Sequence, residues 1–315
     1  MVERTSARRP RPPWFAYLEL VRLPNVFTAM ADVVMGYLFV RGIPDSDDRW
    51  TLGLLIAASG LLYAAGVVLN DVFDLAADTR LRPERPLPSG RISPQTAARL
   101  GWGLLILGMA AACLAGGTSG MLRPGIVALI LAACIVGYNA FLKRTPLGPP
   151  TMGSCRMLNV LLGMSVAAGS WQDEHWLVAG AIGTYIAGVT WFARGEAGRS
   201  SRVQLAAATG VMMLGIAMLA RLPGVSEDVL WPIRQQPDRW ELFMVLLGAL
   251  IGWRCLRAIL DPIPARVQMA VKHAILSIII LDAAACYAVR DVYGALAVLV
   301  LLVPTMYFGT WIRST

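Results

Sequence analysis

The apolar residues of this chain fall into blocks of about 17–22 residues, the length that a helix needs to cross the hydrocarbon core of a bilayer. Of the 315 residues, 57% are hydrophobic and 15% are charged, whereas a soluble domain carries about 25% charged residues. Most of the chain is therefore expected to form membrane-spanning helices. The sequence predicts an all-α integral membrane protein, a bundle of nine to ten transmembrane helices.

Ten blocks are candidate spans, and only Arg290 and Asp291 separate the last two, which is why the prediction is nine to ten. The blocks cover residues 23–40, 51–69, 94–116, 124–141, 152–168, 176–193, 203–220, 242–259, 269–289 and 292–312. Residues 1–16 are rich in Arg and Pro and are expected to be a disordered basic tail. Residues 17–315 are expected to form the transmembrane domain.

The basic residues predict the orientation of the spans. With the N-terminus inside, 21 of the 28 Lys and Arg residues lie on inside segments and seven lie outside. Such a bias is typical of cytoplasmic loops. The sequence thus predicts a cytoplasmic-membrane protein whose N-terminus and 70–93 and 194–202 loops are cytoplasmic. Because topology and the lipid bilayer account for the net charge of +8, nucleic acid is not expected as a partner.

Four oxygen-bearing side chains close the second span, namely Asn70, Asp71, Asp74 and Asp78. On a continuous helix they point within roughly 100° of one another. Their carboxylates repel and lie at the helix end that already carries partial negative charge. A solvated acidic face is one interpretation. A bound cation is the other, and an all-oxygen ligand set with few protein groups is typical of magnesium.

A loop rich in Pro and Arg follows the acidic residues, and it favours the metal interpretation. Its prolines are expected to keep it stiff and extended. Arg82, Arg85 and Arg91 could donate paired hydrogen bonds to phosphate oxygens. Ser93 and Pro94 then predict the start of the next helix. Acidic residues for a metal beside arginines for phosphate indicate a diphosphate site.

This pattern resembles the first aspartate-rich motif of the UbiA family of intramembrane prenyltransferases. Asn70-Asp71-x-x-Asp74-x-x-x-Asp78 is followed by Arg85-Pro86-Leu87-Pro88-Ser89-Gly90. Arg22-Leu-Pro-Asn25 with Asp32 and Gly36 is similar to the family's first helix, and Tyr138-Asn139-x-x-Leu142-Lys143-Arg144 to the end of its fourth. The resemblance runs through residues 17–200 and implies that the transmembrane helices surround a central lipid-accessible cavity.

The resemblance implies an enzyme that moves a prenyl group from a polyprenyl diphosphate to a hydrophobic acceptor, often an aromatic one, with Mg²⁺ as cofactor. Asn70, Asp71, Asp74 and Asp78 are then expected to hold the metal. The basic residues expected at the diphosphate are Arg82, Arg85, Lys143, Arg144, Arg156, Arg194 and Arg199. The polar residues expected in the cavity or at the acceptor are Asn25, Asp32, Tyr138 and Asn159.

The second aspartate-rich motif of the family is missing after the sixth span. Residues 194–202 there carry one carboxylate, Glu196, and three arginines, Arg194, Arg199 and Arg202. In one account Arg194 and Arg199 replace a second cation and bind the diphosphate directly. In another the pocket only binds or moves an isoprenoid or other lipid-like precursor. The arginines could also be ordinary inside-loop charge. The Arg-x-Glu-Ala stretch resembles the divergent EboC-like subgroup, as does Arg156-x-x-Asn159.

Ionisable residues within the spans are costly and usually functional. Asp32 lies in the first span and Asp282 deep in the ninth, and for both a structural hydrogen bond between helices is the alternative to a functional role. Arg156 at the start of the fifth span could instead extend to the membrane interface.

Overall fold

The computed structural model describes residues 12–46, 48–194 and 200–312, and this part of the chain is all-helical. It contains thirteen α-helices and two short 3₁₀ turns, Leu142–Arg144 and Leu222–Gly224. The α-helices are α1 Pro13–Leu20, α2 Leu23–Arg41, α3 Asp48–Phe73, α4 Leu75–Leu81, α5 Pro94–Ser119, α6 Arg123–Ala140, α7 Gly148–Met164, α8 Asp173–Ala193, α9 Arg202–Ala220, α10 Trp231–Gln235, α11 Pro237–Leu260, α12 Pro264–Leu299 and α13 Leu302–Trp311.

Eight helical segments of the described residues are long and apolar enough to cross a membrane. The prediction of an all-α membrane bundle is therefore confirmed, but the count of nine to ten is not reproduced. The fifth predicted span is α7, which has only 17 residues. The last two predicted spans lie in one continuous segment, Pro264–Trp311, bent where Asp291 takes a left-handed φ of 64°.

The last four residues of the predicted N-terminal tail, residues 13–16, lie in helix α1. Residues 1–11 lie outside the described residues, but α1 begins at Pro13. Its buried face carries Ala16 and Leu20, which pack against Leu87 and Ile92 of the loop after α4. The sequence did not predict this short helix, because its apolar face is only two turns long and the preceding residues are basic.

Six helices surround a central cavity: α2, α3, α6, α7, α8 and α12. Helices α5, α9 and α11 form an outer layer, since α5 packs on α3, α9 on α8, and α11 on α9 and α12. Helices α2 and α7 approach each other closely at Gly36, where a Cβ atom would lie 2.6 Å from the carbonyl oxygen of Val160. This close contact aligns the polar side chains of α2 and α7 behind the cavity wall.

The loops that carry the polar motifs meet at one end of the bundle, which we call the polar end. Helices α3, α6 and α8 all end there, and the segments after them contain Asp74, Lys143 and Arg194 respectively. Ser93 begins α5 at this end, and its hydroxyl accepts a hydrogen bond from the Thr96 backbone N–H at 3.1 Å. The predicted N-cap at Ser93 is confirmed.

Candidate functional site at the polar end

The cavity has a volume of about 350 Å³ and opens at the polar end. Charged and amide side chains line the part nearest the loops: Arg22, Asn25, Asn70, Arg82 and Arg85. The part deeper in the bundle is largely apolar and includes Leu62, Leu131, Ile135, Ile186, Ile275 and Ile278. The cavity therefore suits an amphipathic molecule with an anionic head and an apolar chain.

Lys143 joins the first pair of motif oxygens. Its Nζ lies 3.1 Å from Asn70 Oδ1 and 2.8 Å from Asp74 Oδ2. Arg144 also reaches Asp74, at 3.2 Å, but its side chain is 71% exposed, so that contact contributes little to stability. Asn70 and Asp74 therefore converge on one buried positive charge, supplied by the turn after α6.

Arg85 contacts the second pair of motif residues, Asp71 and Asp78. Its Nη1 lies 2.8 Å from Asp78 Oδ2 and 3.4 Å from Asp71 Oδ1. Arg22 Nη2 donates to the same Asp71 oxygen at 3.0 Å. Both aspartates are almost fully buried, and a buried carboxylate needs such partners because its desolvation is costly. The Pro- and Arg-rich loop thus contributes directly to the acidic motif.

These contacts correct the expectation that only a bound cation offsets the acidic face. Basic side chains from other segments neutralise all three aspartates. The four motif residues also divide into two pairs, because the helix is interrupted at Asp74, whose φ is −94° and ψ is 3°. No group of three acidic, His or Cys side chains comes together within the described residues.

The loop after α4 is not extended as predicted. It folds into successive turns, in which Ser89 N–H donates to Arg85 C=O and Gly90 N–H donates to Leu87 C=O. Arg91 does not face the cavity: its guanidinium pairs with Glu19 of α1. Leu87 packs into the small apolar cluster beneath the loop, which the proline count could not predict.

Arg22 is a cavity residue that the motif analysis quoted but did not assign to the site. It lies between α1 and α2 with a left-handed backbone, φ 47° and ψ 54°, a conformation that costs about 1–2 kcal/mol for a residue other than glycine. This turn brings its side chain to Asp71. Tyr63 and Asn139 also line the cavity and were not assigned; Asn139 could have been found, since it stands in the Tyr138-Asn139 motif.

Arg194 does not line the cavity, contrary to its predicted role at the diphosphate. Its Nη2 donates to the backbone carbonyls of Lys143, at 3.3 Å, and of Thr145. The guanidinium therefore holds the turn that presents Lys143. Glu196 and Arg199, the other residues of the altered second motif, lie outside the described residues, so their predicted roles stay predictions.

Arg156 lines the cavity but does not extend to the membrane interface. Its Nη1 lies 3.0 Å from Asp32 Oδ2, and its Nη2 donates to Thr28 Oγ1 at 2.7 Å. Asn159, also a lining residue, donates to Asp32 at 2.7 Å. Asp32 itself is fully buried behind these two side chains and is not a lining residue. Asn25 and Tyr138 line the cavity.

The oxygen atoms of Asn70 and Asp74 can hold a magnesium ion. Asn70 Oδ1 and Asp74 Oδ2 already converge on the ammonium of Lys143, so a cation can sit between them. Asp71 follows Asn70 on the same turn of α3. Magnesium accepts one or two protein oxygens together with water and phosphate oxygens. The oxygen donors at Asn70 and Asp74 fit this ion, whereas Asp71 and Asp78 are both turned to Arg85.

The amino-acid sequence matches the UbiA prenyltransferase family over residues 29–275. The chain belongs to the UbiA prenyltransferase family. It is similar to a digeranylgeranylglyceryl phosphate synthase of Saccharolobus solfataricus, with 35% identity over 135 residues, which are 41% of this chain and 44% of that protein. The chain thus spans about half the length of the curated relatives it matches.

The UbiA fold extends through most of the chain. A solved structure described as a study of digeranylgeranylglyceryl phosphate synthase in membranes has a TM-score of 0.63 at 21% identity, covering 89% of this chain and 99% of that one. A UbiA homologue of Archaeoglobus fulgidus bound to DMAPP and Mg²⁺ has a TM-score of 0.59 at 15% identity, covering 83% and 98%. Family membership and the apolar helices make this an integral membrane protein.

Proposed function

We propose that this protein transfers a prenyl group from a polyprenyl diphosphate to a hydrophobic acceptor. One observation carries the proposal: an apolar cavity inside the bundle is lined at its polar end by Asn70 of the acidic motif and by the arginines Arg22, Arg82 and Arg85. A prenyl diphosphate has the same division into an apolar chain and an anionic head. The DMAPP-bound and Mg²⁺-bound state of a UbiA homologue supports the same assignment.

Different side chains along the cavity would contact the metal, the diphosphate and the prenyl chain. Asn70 and Asp74 would hold Mg²⁺, which when bound draws negative charge from the leaving diphosphate, and Asp71 would become a further ligand when Arg22 and Arg85 turn from it to the phosphate. Arg22, Arg82 and Arg85 donate to phosphate oxygens, and Lys143 adds a positive charge beside them. The C–O bond to the diphosphate breaks, a bond from C1 of the prenyl chain to the acceptor forms, and the acceptor gives up a proton. The apolar wall excludes water, which would otherwise capture the prenyl group.

We further propose that the polar end of the bundle faces the cytoplasm. The 21 inside Lys and Arg residues against seven outside support that orientation. Acceptors with an aromatic ring or a lipid hydroxyl both fit the amphipathic cavity. Activity assays should therefore include both aromatic acceptors and lipid alcohols.

A second function is non-catalytic binding or translocation of an isoprenoid precursor. The pairing of Asp71, Asp74 and Asp78 with basic side chains favours it, because a site whose carboxylates are already neutralised does not need a metal. The two functions differ in one product, inorganic diphosphate, which only the enzyme releases.

The test uses purified full-length protein in lipid nanodiscs with Mg²⁺ and geranylgeranyl diphosphate. Release of diphosphate that requires both Mg²⁺ and an added acceptor supports the transferase. Tight binding of the prenyl diphosphate without release, across aromatic and lipid-alcohol acceptors, supports the carrier. Asp74→Asn serves as the variant with an altered site, and Asp261→Asn, which changes an exposed carboxylate, serves as the control.

A further inference from the structure

Two carboxyl groups from different helices meet inside the bundle, away from the diphosphate site. Asp32 lies on α2 and Asp282 on α12, and both are 0% exposed. The two carboxyls are neighbours where α2 packs against α12. Neither residue lines the cavity, but both lie behind Arg156, which does.

The hydrogen bonds around this pair are incomplete. Asp32 Oδ2 accepts from Asn159 Nδ2 at 2.7 Å and lies 3.0 Å from Arg156 Nη1. Asp32 Oδ1 and both oxygens of Asp282 have no donor among the residues that the structure describes. Three adjacent carboxyl oxygens without a donor are unusual, because nearly all buried polar atoms in proteins have a partner.

The charges of Asp32, Asp282 and Arg156 do not cancel when both carboxyls are ionised. Arg156 and Asp32 are the charged groups that act on Asp282. Two ionised carboxylates beside one guanidinium would leave a net negative charge on fully buried side chains. An uncompensated buried charge costs several kcal/mol, and two adjacent carboxylates cannot readily both ionise. A single proton between the two carboxyls removes the net charge and supplies the missing donor.

We propose that Asp32 and Asp282 bind one proton between them and form, with Arg156, an electrically neutral triad that joins α2, α7 and α12. The ligand of this site is a proton and not a divalent metal ion, because the Arg156 guanidinium already supplies a positive charge at Asp32, and a dication beside it would leave the group with a net positive charge. The site goes beyond prenyl transfer, since neither Asp32 nor Asp282 lines the cavity.

Asp32 is then a positioning residue for the cavity wall. It holds the Arg156 guanidinium and the Asn159 amide, both of which face the cavity. Ser59 of α3 completes the arrangement by donating to Asn159 Oδ1 at 2.8 Å. Four helices around the cavity are thereby fixed relative to one another by a network that needs one proton.

Infrared spectroscopy of the full-length protein in nanodiscs tests the proton directly. Near neutral pH we expect the carbonyl band of a protonated carboxylic acid, shifted by isotope-labelled aspartate, with no ligand added. Asp282→Asn should remove the band and keep the melting temperature of the wild type, because an amide supplies the same donor. Asp32→Asn should lower the melting temperature, because Arg156 loses its counter-charge.

Several outcomes would overturn the proposal. The absence of a protonated-aspartate band from the wild type would do so without any variant, and it would indicate two ionised carboxylates with a bound cation. A band that persists in Asp282→Asn, or equal destabilisation by Asp282→Asn and Asp32→Asn, would also contradict it. Asp261→Asn, at an exposed ion pair, should leave the band unchanged. None of these readings depends on catalysis, so they stand apart from the outcome for prenyl transfer.

Discussion

The Nζ atom of Lys143 lies 2.8 Å from Asp74 Oδ2 and 3.1 Å from Asn70 Oδ1. A basic side chain from the turn after α6 therefore occupies the point where two oxygens of the acidic motif converge. An ammonium and a magnesium ion compete for such a position. When a diphosphate is also present, the same ammonium can turn to a phosphate oxygen.

The first prediction follows from this competition. In Lys143→Met the competitor is gone, and we expect Mg²⁺ alone to bind more tightly than in the wild type. The prenyl diphosphate should bind about 10- to 150-fold more weakly, because a charged hydrogen bond contributes about 1.5–3 kcal/mol. Calorimetric titration with each ligand measures both effects.

Arg144→Met is the matched control for Lys143→Met. Arg144 contacts the same aspartate, but its side chain is 71% exposed, and exposed ion pairs contribute about 0–1 kcal/mol. We expect little change in either titration. Weaker binding of Mg²⁺ to Lys143→Met would mean that the lysine helps the metal instead of competing with it.

The second prediction concerns Asp74. A ligand that binds only the folded state raises its stability, so Mg²⁺ with a prenyl diphosphate should raise the melting temperature of the wild type. Asp74→Asn should reduce this response, because the amide is a weaker magnesium ligand than the carboxylate. Asp261→Asn should respond as the wild type does. An unmoved wild-type melting curve would remove the metal site from the proposal.

The third prediction concerns Arg194, which holds the backbone of the Lys143 turn. Arg194→Ala should lower diphosphate affinity only indirectly, by about 2- to 10-fold, since such hydrogen bonds contribute about 0.5–1.5 kcal/mol. Arg202→Ala is matched to it, because Arg202 also donates to a backbone carbonyl, that of Leu260 at 3.0 Å, but on another loop. Equal losses in the two variants would indicate a general effect on folding.

The fourth prediction concerns Arg199, which lies outside the described residues. If Arg199 replaces a second metal by binding phosphate, Arg199→Ala should weaken prenyl diphosphate binding by about 10- to 150-fold, the effect of one charged hydrogen bond. Arg199→Lys should restore only part of it, because lysine lacks the paired donors. Wild-type affinity in Arg199→Ala would mean that Arg199 does not bind the phosphate.

The fifth prediction concerns orientation. Four helices, α5 to α8, separate Ser89 from Ser201, and Arg194 contacts the Lys143 turn at the polar end. Single cysteines introduced at Ser89 and Ser201 should therefore both react with a membrane-impermeant reagent from the cytoplasmic side. Labelling from opposite sides would contradict the orientation and the shared cavity.

The acidic motif shows how far the sequence could predict the site. Spacing alone placed Asn70, Asp71, Asp74 and Asp78 together, because residues one helical turn apart share a face. It could not show the interruption at Asp74, which divides them into two pairs. The partners of these residues come from elsewhere: Arg22 is 49 positions from Asp71, and Lys143 is 73 positions from Asn70.

The same division holds for the fold. Apolar block length predicted the spans, since crossing a bilayer imposes a minimum length. The bend at Asp291 was not predictable, because a left-handed backbone at an aspartate depends on its surroundings; here its side chain accepts a hydrogen bond from Tyr293 N–H. The role of Asp32 was also left open, since composition cannot show that Arg156, far along the chain, packs against it.

The pairing of each motif aspartate with a basic side chain has a consequence for the order in which ligands arrive. A lone dication must displace a basic side chain from its aspartate, and a lone polyanion must draw an arginine away from its aspartate, so each ligand disrupts these ion pairs. Metal and diphosphate entering as one complex supply a partner of opposite charge to the freed aspartates and to the freed basic side chains alike. The ligand-free protein is thereby built to admit the pair together, and each member should sharply raise the affinity for the other.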